Sequence, residues 1–187
     1  METKENKKID NKKEETKEAT LEDIVKNDYQ GATIVDLNVP TKKIGVASDH
    51  RGYNLKQKLT KYLIKKGYTV IDYGCDDKNS HDYPEFGFKL GKGIRDGKVE
   101  KGIAICGSGI GISIACNKVK GVRCAKVDNI KEAKYTRLDN DANAIALNGD
   151  MPVYRAKDIL DVFLNTEFSN EERHKRRIEM LNNYNDD

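Results

Sequence analysis

The chain has 187 residues with 34 basic and 31 acidic side chains, so its formal net charge is only +3. That length suits one domain with an added extension, and the near-balance of charge, with no basic stripe interleaved with aromatics, argues against nucleic-acid binding. The longest apolar stretch, Gly102 to Cys116, is interrupted by Gly and Ser and is too short to span a bilayer, which argues against a membrane protein.

The first twenty residues hold six lysines and six acids, with only Met1, Ile9 and Ala19 apolar. Such a segment buries too little surface to offset its ordering entropy, so residues 1–41 are read as a mostly disordered N-terminal extension and 42–187 as the folded domain. Within the extension, Leu21 to Lys26 suits a short helix and Thr33 to Leu37 an extra edge strand. The start of the chain lacks the apolar run of a secretory signal, and its acids do not fit an organelle transit peptide. The expected location is therefore the cytoplasm. Cys75, Cys106, Cys116 and Cys124 show no C-x-x-C pairing and no metal-site spacing, as suits reduced thiols.

From Lys43 onward, short β-rich runs alternate with amphipathic stretches. Ile44 to Ser48 reads as a buried strand, followed by Asp49 and His50. Tyr53 to Lys65 repeats Leu55, Leu59, Tyr62 and Leu63 at helical spacing, and Gly67 stops that helix. Tyr68 to Tyr73 is a second strand, and a helix starts after Pro84. Gly102 to Cys106 is the third strand and Ile110 to Lys118 the third helix. Val122 to Val127, Asn129 to Leu138 and Asn143 to Leu147 continue as strand, helix, strand; Pro152 to Leu164 and Glu171 to Asn183 are closing helices. This alternation predicts an α/β fold, a doubly wound parallel sheet in a three-layer α/β/α sandwich of Rossmann-like type. Ligands bind outside the carboxyl ends of such strands, where Asp49, His50, Cys106 and the glycine loop all fall.

The turn after the first strand has no G-x-G-x-x-G, and the chain has no G-x-x-x-x-G-K, so dinucleotide and P-loop readings fail. Instead the third strand ends in Cys106 and runs into Gly107-Ser108-Gly109-Ile110-Gly111 at a helix start. A thiol beside unpaired amides offers a base and an anion cradle in one loop, as proton abstraction next to a carbonyl requires.

With its neighbours included, this loop gives the chain a family resemblance. Ser48-Asp-His-Arg-Gly-Tyr-Asn-Leu-Lys56, Asp82-Tyr-Pro84, Ile105-Cys-Gly-Ser-Gly-Ile-Gly-Ile-Ser113, Asn117-Lys118, Asn140-Asp-Ala-Asn143 and Arg173-His-Lys-Arg-Arg177 follow one another in family order. In these pieces the chain resembles ribose-5-phosphate isomerase B and the galactose-6-phosphate isomerase subunits; the first forty residues lie outside the match. The resemblance implies interconversion of an aldose and a ketose phosphate through an enediolate, without metal or organic cofactor. It also implies a homodimer or homotetramer with active sites at subunit interfaces. Ribose 5-phosphate and ribulose 5-phosphate are the expected pair. A six-carbon sugar phosphate, or a catalytically weakened sugar-phosphate-binding relative, is the alternative.

By the same resemblance, Cys106 is the base that takes the proton from C2 and returns it to C1. Backbone amides of Gly107, Gly109, Ile110 and Gly111 face the oxygen that becomes anionic, and Ser108 passes a proton between O1 and O2. Asp49, Tyr83 and Asn140 contact sugar hydroxyls. Arg173 and Arg177, one helical turn apart, bind phosphate along with His50. Cys116 and Cys124 are read as core filling, while Cys75, His81 and His174 carry no assigned role.

Two positions depart from the family pattern. The residue before Asn140 is usually a histidine credited with opening the furanose ring; here it is Asp139, and an ionised carboxylate accepts but does not donate. Asp139 then acts as a base alone, acts with a raised pKa, or leaves ring opening to solvent. The family's phosphate-binding arginine after the fifth strand is replaced by Asp150. Either Asp150 turns away, or Arg155 or Lys157 compensates, or the substrate is placed differently.

Overall fold

A computed structural model of the chain describes residues 18–19 and 42–184. The elements are β1 (Glu18–Ala19), β2 (Lys43–Ser48), α1 (Tyr53–Lys65), β3 (Thr69–Asp72), α2 (Tyr83–Arg95), β4 (Lys101–Cys106), α3 (Ile110–Asn117), β5 (Cys124–Lys126), α4 (Ile130–Asn140), β6 (Ala144–Asn148), α5 (Val153–Asn165) and α6 (Glu172–Asn183). The expected helix at Leu21 to Lys26 and edge strand at Thr33 to Leu37 lie outside the described residues. Glu18 and Ala19 pair antiparallel with Ile71 and Val70 on the sheet edge.

The strands are ordered β1-β3-β2-β4-β6-β5, and all contacts beyond β1 are parallel. From β2 the chain steps to β3 on one side and later returns to β4 on the other. The switch point therefore lies between β2 and β4, which brings the loop after Ser48 beside the loop after Cys106.

Alternation along the strands divides the core. Ile44, Val46, Ile103 and Ile105 pack with Leu55, Leu59 and Leu63 of α1, Ala133 of α4, and Ile159 and Phe163 of α5. Ala47, Ala104 and Cys106 face the other layer, with Phe86 and Leu90 of α2 and Ile112 and Cys116 of α3. Leu55, Leu59 and Leu63 recur every fourth residue, so one face of α1 covers the sheet. Full burial of a leucine such as Leu59 contributes about 1.5–3 kcal/mol. The helix ends where Gly67 takes φ +87° and donates to Ile64 O at 2.9 Å.

One side chain of α1 breaks the apolar pattern. Lys56 is wholly buried, and its Nζ donates to Asp72 Oδ2 and to Cys75 O, each at 2.7 Å. The other oxygen of Asp72 accepts from Gly74 N at 2.8 Å. This pair ties α1 to the loop that follows β3, because neither the ammonium nor the carboxylate has an equivalent partner elsewhere at comparable cost. Removing the acid strands a buried cation. Asp72→Ala is therefore expected to lose about 3 kcal/mol of unfolding free energy, more than Lys56→Met loses, as read by urea denaturation of both variants. Equal stability of Asp72→Ala and the parent chain would show that the pair holds nothing together.

Candidate active site

At the carboxyl ends of β2 and β4, three loops converge. Cys106 closes β4 and is only 4% exposed, set among the apolar residues of the α2 and α3 layer. Its sulfur is nevertheless reached by a polar group, since Gly109 N donates to Cys106 Sγ at 3.2 Å. That bond depends on the backbone of Gly109, which turns left-handed at φ 78° immediately before α3. A Cβ on Gly109 would also lie 2.9 Å from the backbone of Leu147, so both conformation and space require glycine. Ser108 Oγ accepts from Ile110 N at 3.2 Å, which closes the turn. The next amides along α3 have no carbonyl four residues back within the helix, and positive partial charge gathers around them.

The loop after β2 is braced from both sides. Asp49 is buried; its N donates to Ile105 O at 3.3 Å, and its Oδ1 accepts from Arg51 N at 2.9 Å and Gly52 N at 3.0 Å. One oxygen of that carboxylate is thus committed to holding the turn. His50 Nδ1 accepts from His81 N at 3.1 Å, which leaves the proton of the neutral ring on Nε2. His81 in turn meets Asp77 Oδ1 at 2.7 Å, a hydrogen bond that holds the Asp77 carboxyl below its usual range. His81, given no role from sequence, is the residue that sets the His50 ring. Tyr83 begins α2 and lays its ring on the start of α3, where a Cβ on Gly111 would meet it at 2.6 Å.

The other residues singled out from sequence stand at the opposite end of the sheet. Helix α4 starts after the carboxyl end of β5 and runs back, so Asp139 and Asn140 finish where β6 begins. There Gly102 N, at the start of β4, donates to Asn143 O at 2.8 Å. From Gly102 to Cys106 the strand rises about 13 Å. Asn129 and Glu132 cap the start of α4, with Glu132 N donating to Asn129 Oδ1 at 2.9 Å. At its far end Arg137 ties Asp141 Oδ1 and Ala142 O, both at 2.7 Å. Helix α6 lies beside it: His174 is buried, with Nε2 3.6 Å from Asp139 Oδ1, while Arg173 and Arg177 on the same helix are exposed. Asp139, Asn140, Arg173 and Arg177 therefore form a second group at the amino end, apart from Cys106 of the same chain. A groove of about 730 Å³ opens beside Asn140, lined also by Thr136, Cys124 and Leu181, and it does not include Cys106.

The question raised by Asp150 has a geometric answer. Arg51 Nη2 lies 3.3 Å from Asp150 Oδ2, so the carboxylate faces a cation carried by the loop after β2. Lys157 instead lies over the Tyr62 ring, 4.9 Å from its centroid. Arg51 stands inside a quoted sequence motif, yet sequence alone gave it no role. Among the cysteines, burial pushes the Cys75 thiol up, and a hydrogen bond with Cys116 together with burial pushes Cys124 well above its usual value. Those two stay protonated at neutral pH. Among the described residues no group of three His, Cys, Asp or Glu side chains is placed to hold a metal, and no helix is long and apolar enough to cross a membrane.

A parallel sheet with an amide-lined turn and a strand-end thiol at its switch point defines the chain as an α/β protein of Rossmann-like type, with a candidate ligand site there. Comparison with known proteins narrows this further. Residues 44–181 match the family model described as Ribose/Galactose Isomerase. The chain is 39% identical over 145 residues to the putative sugar phosphate isomerase YwlF of Bacillus subtilis, covering 76% of this chain and 96% of that one. It is 35% identical over 141 residues to ribose-5-phosphate isomerase B of Escherichia coli, covering 75% and 94%. The solved structure of Clostridium thermocellum ribose-5-phosphate isomerase B superposes with a TM-score of 0.73 at 45% identity, covering 75% of this chain and 95% of that chain. The chain belongs to this family of sugar-phosphate aldose–ketose isomerases.

The left-handed turn at Gly109 gives a direct test of the site's construction. Gly109→Ala forces either a strained φ or a shift against Leu147, and is expected to cost at least about 1–2 kcal/mol of stability. Its Cys106 loop should exchange amide hydrogens faster than in the parent chain. Unchanged stability and exchange would mean that the turn is not held as described.

Proposed function

We propose that the protein interconverts ribose 5-phosphate and ribulose 5-phosphate through an enediolate, in the cytoplasm, with Cys106 as the base. The observation that carries this reading is the Gly109 N–H donated to Cys106 Sγ at the switch point. Amide donors at a helix start favour sulfur in its thiolate form. The thiolate takes the proton from C2 of the open-chain aldose, and the electron pair of that bond forms the C1–C2 double bond as the carbonyl oxygen on C1 becomes anionic. Amides of Gly107 and Gly111 stabilise that oxygen, a contribution of about 3–4 kcal/mol for a well-aimed donor, while those of Gly109 and Ile110 hold Cys106 Sγ and Ser108 Oγ in place. Ser108 already accepts through its oxygen from Ile110 N, so its own proton is available to pass between O2 and O1. Cys106 then returns its proton to C1. Protons and electrons balance within the substrate, so the reaction needs no external oxidant or reductant.

Asp49, His50 and Tyr83 hold the sugar phosphate from the same chain. Asp139, Asn140, Arg173 and Arg177 come from a second copy, which makes the working unit a homodimer or a homotetramer built from it. Two observations support this division. The two groups of residues lie at opposite ends of one sheet, and Ile110 and Ile114, one turn apart on α3 beside the Cys106 loop, are 55% and 57% exposed. An apolar pair left open beside a site suits a subunit contact.

Cys106→Ala is expected to lower turnover of ribose 5-phosphate by about 10²–10⁴-fold while leaving sugar-phosphate binding in place. Unchanged turnover would remove Cys106 as the base. The same coupled assay run with ribulose 5-phosphate and a hexose 6-phosphate separates five-carbon from six-carbon chemistry; faster conversion of the hexose would reassign the substrate. Cys106→Ala and Arg177→Ala, each inactive alone, should regain about a quarter of the parental rate when unfolded and refolded together, since half of the dimers then carry one intact site. No recovery in mixed dimers would place both groups in one chain.

A further inference from the structure

The Cys106 end of the sheet carries a cation that the reaction above leaves unused. Arg51 follows His50, and its backbone is fixed by two of the loops that frame the thiol. Its N donates to Asp49 Oδ1 at 2.9 Å, and its carbonyl oxygen approaches Gly149 so closely that a Cβ there would lie 2.6 Å away. Gly149 N in turn donates to Cys106 O at 2.8 Å. The side chain then runs over the glycine loop: a Cβ on Gly107 would lie 2.9 Å from Arg51 Nε and 3.0 Å from Cδ and Cζ. The guanidinium is thus delivered to the edge of the amide turn by the architecture of the site itself.

Its ion pair with Asp150 is of a kind that gives way. Nη2 reaches Oδ2 at 3.3 Å through one prong only, with the two side chains 59% and 75% exposed. An exposed, one-pronged pair contributes little, and it engages one of five guanidinium N–H donors. A phosphate monoester accepts two parallel N–H bonds from a guanidinium and carries more charge than a carboxylate, so it is the stronger partner. Asp150 is held in its own turn, where its N donates to Asn148 Oδ1 at 2.8 Å. Its carboxylate can swing from Arg51 without disturbing β6.

We infer that Arg51 is a phosphate-binding, specificity-determining residue of the Cys106 half-site, and that Asp150 is its exchangeable counterion, displaced when a phosphorylated sugar enters. This rests on the isomerase reading above. The pairing also gives Asp150 a purpose that its sign alone obscures. It keeps Arg51 extended over the loop and penalises anions too weak to displace it.

The test is titration of the full chain with inorganic phosphate at fixed ionic strength, by calorimetry, alongside KM and kcat for ribose 5-phosphate. Arg51→Ala is expected to weaken phosphate binding about tenfold and to raise KM by a similar factor with kcat little changed. Asp150→Asn should act in the opposite direction and tighten phosphate binding severalfold, because the competing carboxylate is gone while the cation remains. Arg51→Lys should recover only part of the loss, since a point charge lacks the two-pronged fit. A brace with no ligand role predicts another pattern, in which both variants weaken binding alike or neither moves it; either result overturns the proposal. If the parent chain converts no sugar phosphate, the isomerase reading fails by itself, and the phosphate titration still decides the role of Arg51.

Discussion

A single backbone conformation holds the chemistry of this molecule together. Gly109 turns left-handed at φ 78°, and that turn points its N–H at the Cys106 sulfur while starting α3 in the right place. The turn has no room for a side chain, because a Cβ on Gly109 would lie 2.9 Å from the backbone of Leu147 in β6. Strand, thiol and helix are therefore locked in one relation. The surrounding loops are fitted to that relation: Asp49 donates to the end of β4, Gly149 donates to Cys106 O, and Tyr83 leans on the start of α3. A thiol elsewhere in the core lacks this. Cys75 and Cys124 are buried by their neighbours and kept protonated, and they fill space.

The order of strands explains why the switch point hosts the site. Because β2 and β4 are neighbours in the sheet but separated by β3 in sequence, their following loops part to opposite layers and leave a crevice between them. Helix direction explains the second group. Every helix that follows a parallel strand must carry the chain back to the amino end, so residues late in α4 cannot stand beside residues that end β4. Asp139 and Asn140 are late in α4, and α6 packs beside them. The chain builds two chemically distinct ends, one with a thiol and amides, the other with an amide side chain and arginines.

Much of the fold was legible in the residues. β-branched runs marked the strands to within a residue or two, Gly67 marked the end of α1, and the glycine loop announced the turn at Gly109. The connection between Arg51 and Asp150 was not legible, since the two are 99 residues apart and meet only through the sheet order. Lys56 escaped notice for another reason: a lysine in an amphipathic helix reads as solvent-facing, and only the fold shows Asp72 and Cys75 O enclosing it. His174 and His81 were passed over because each acquires its neighbour, Asp139 or His50, from a distant segment. The sequence motifs also placed all site residues in one list, whereas the direction of α4 divides them between two ends of the molecule.

The central claim is that the Cys106 sulfur, steadied by the Gly109 amide, exchanges a proton with the carbon next to a sugar carbonyl. The direct measurement is hydrogen exchange at that carbon: ribose 5-phosphate incubated with the protein in D2O and followed by proton NMR. The account predicts that the C2 hydrogen is lost in the presence of the parent protein, with deuterium appearing on the carbons between which the proton moves, and that it persists when Cys106 is replaced by alanine. Retention of the C2 hydrogen with the parent protein, or its equal loss with the alanine variant, would contradict it.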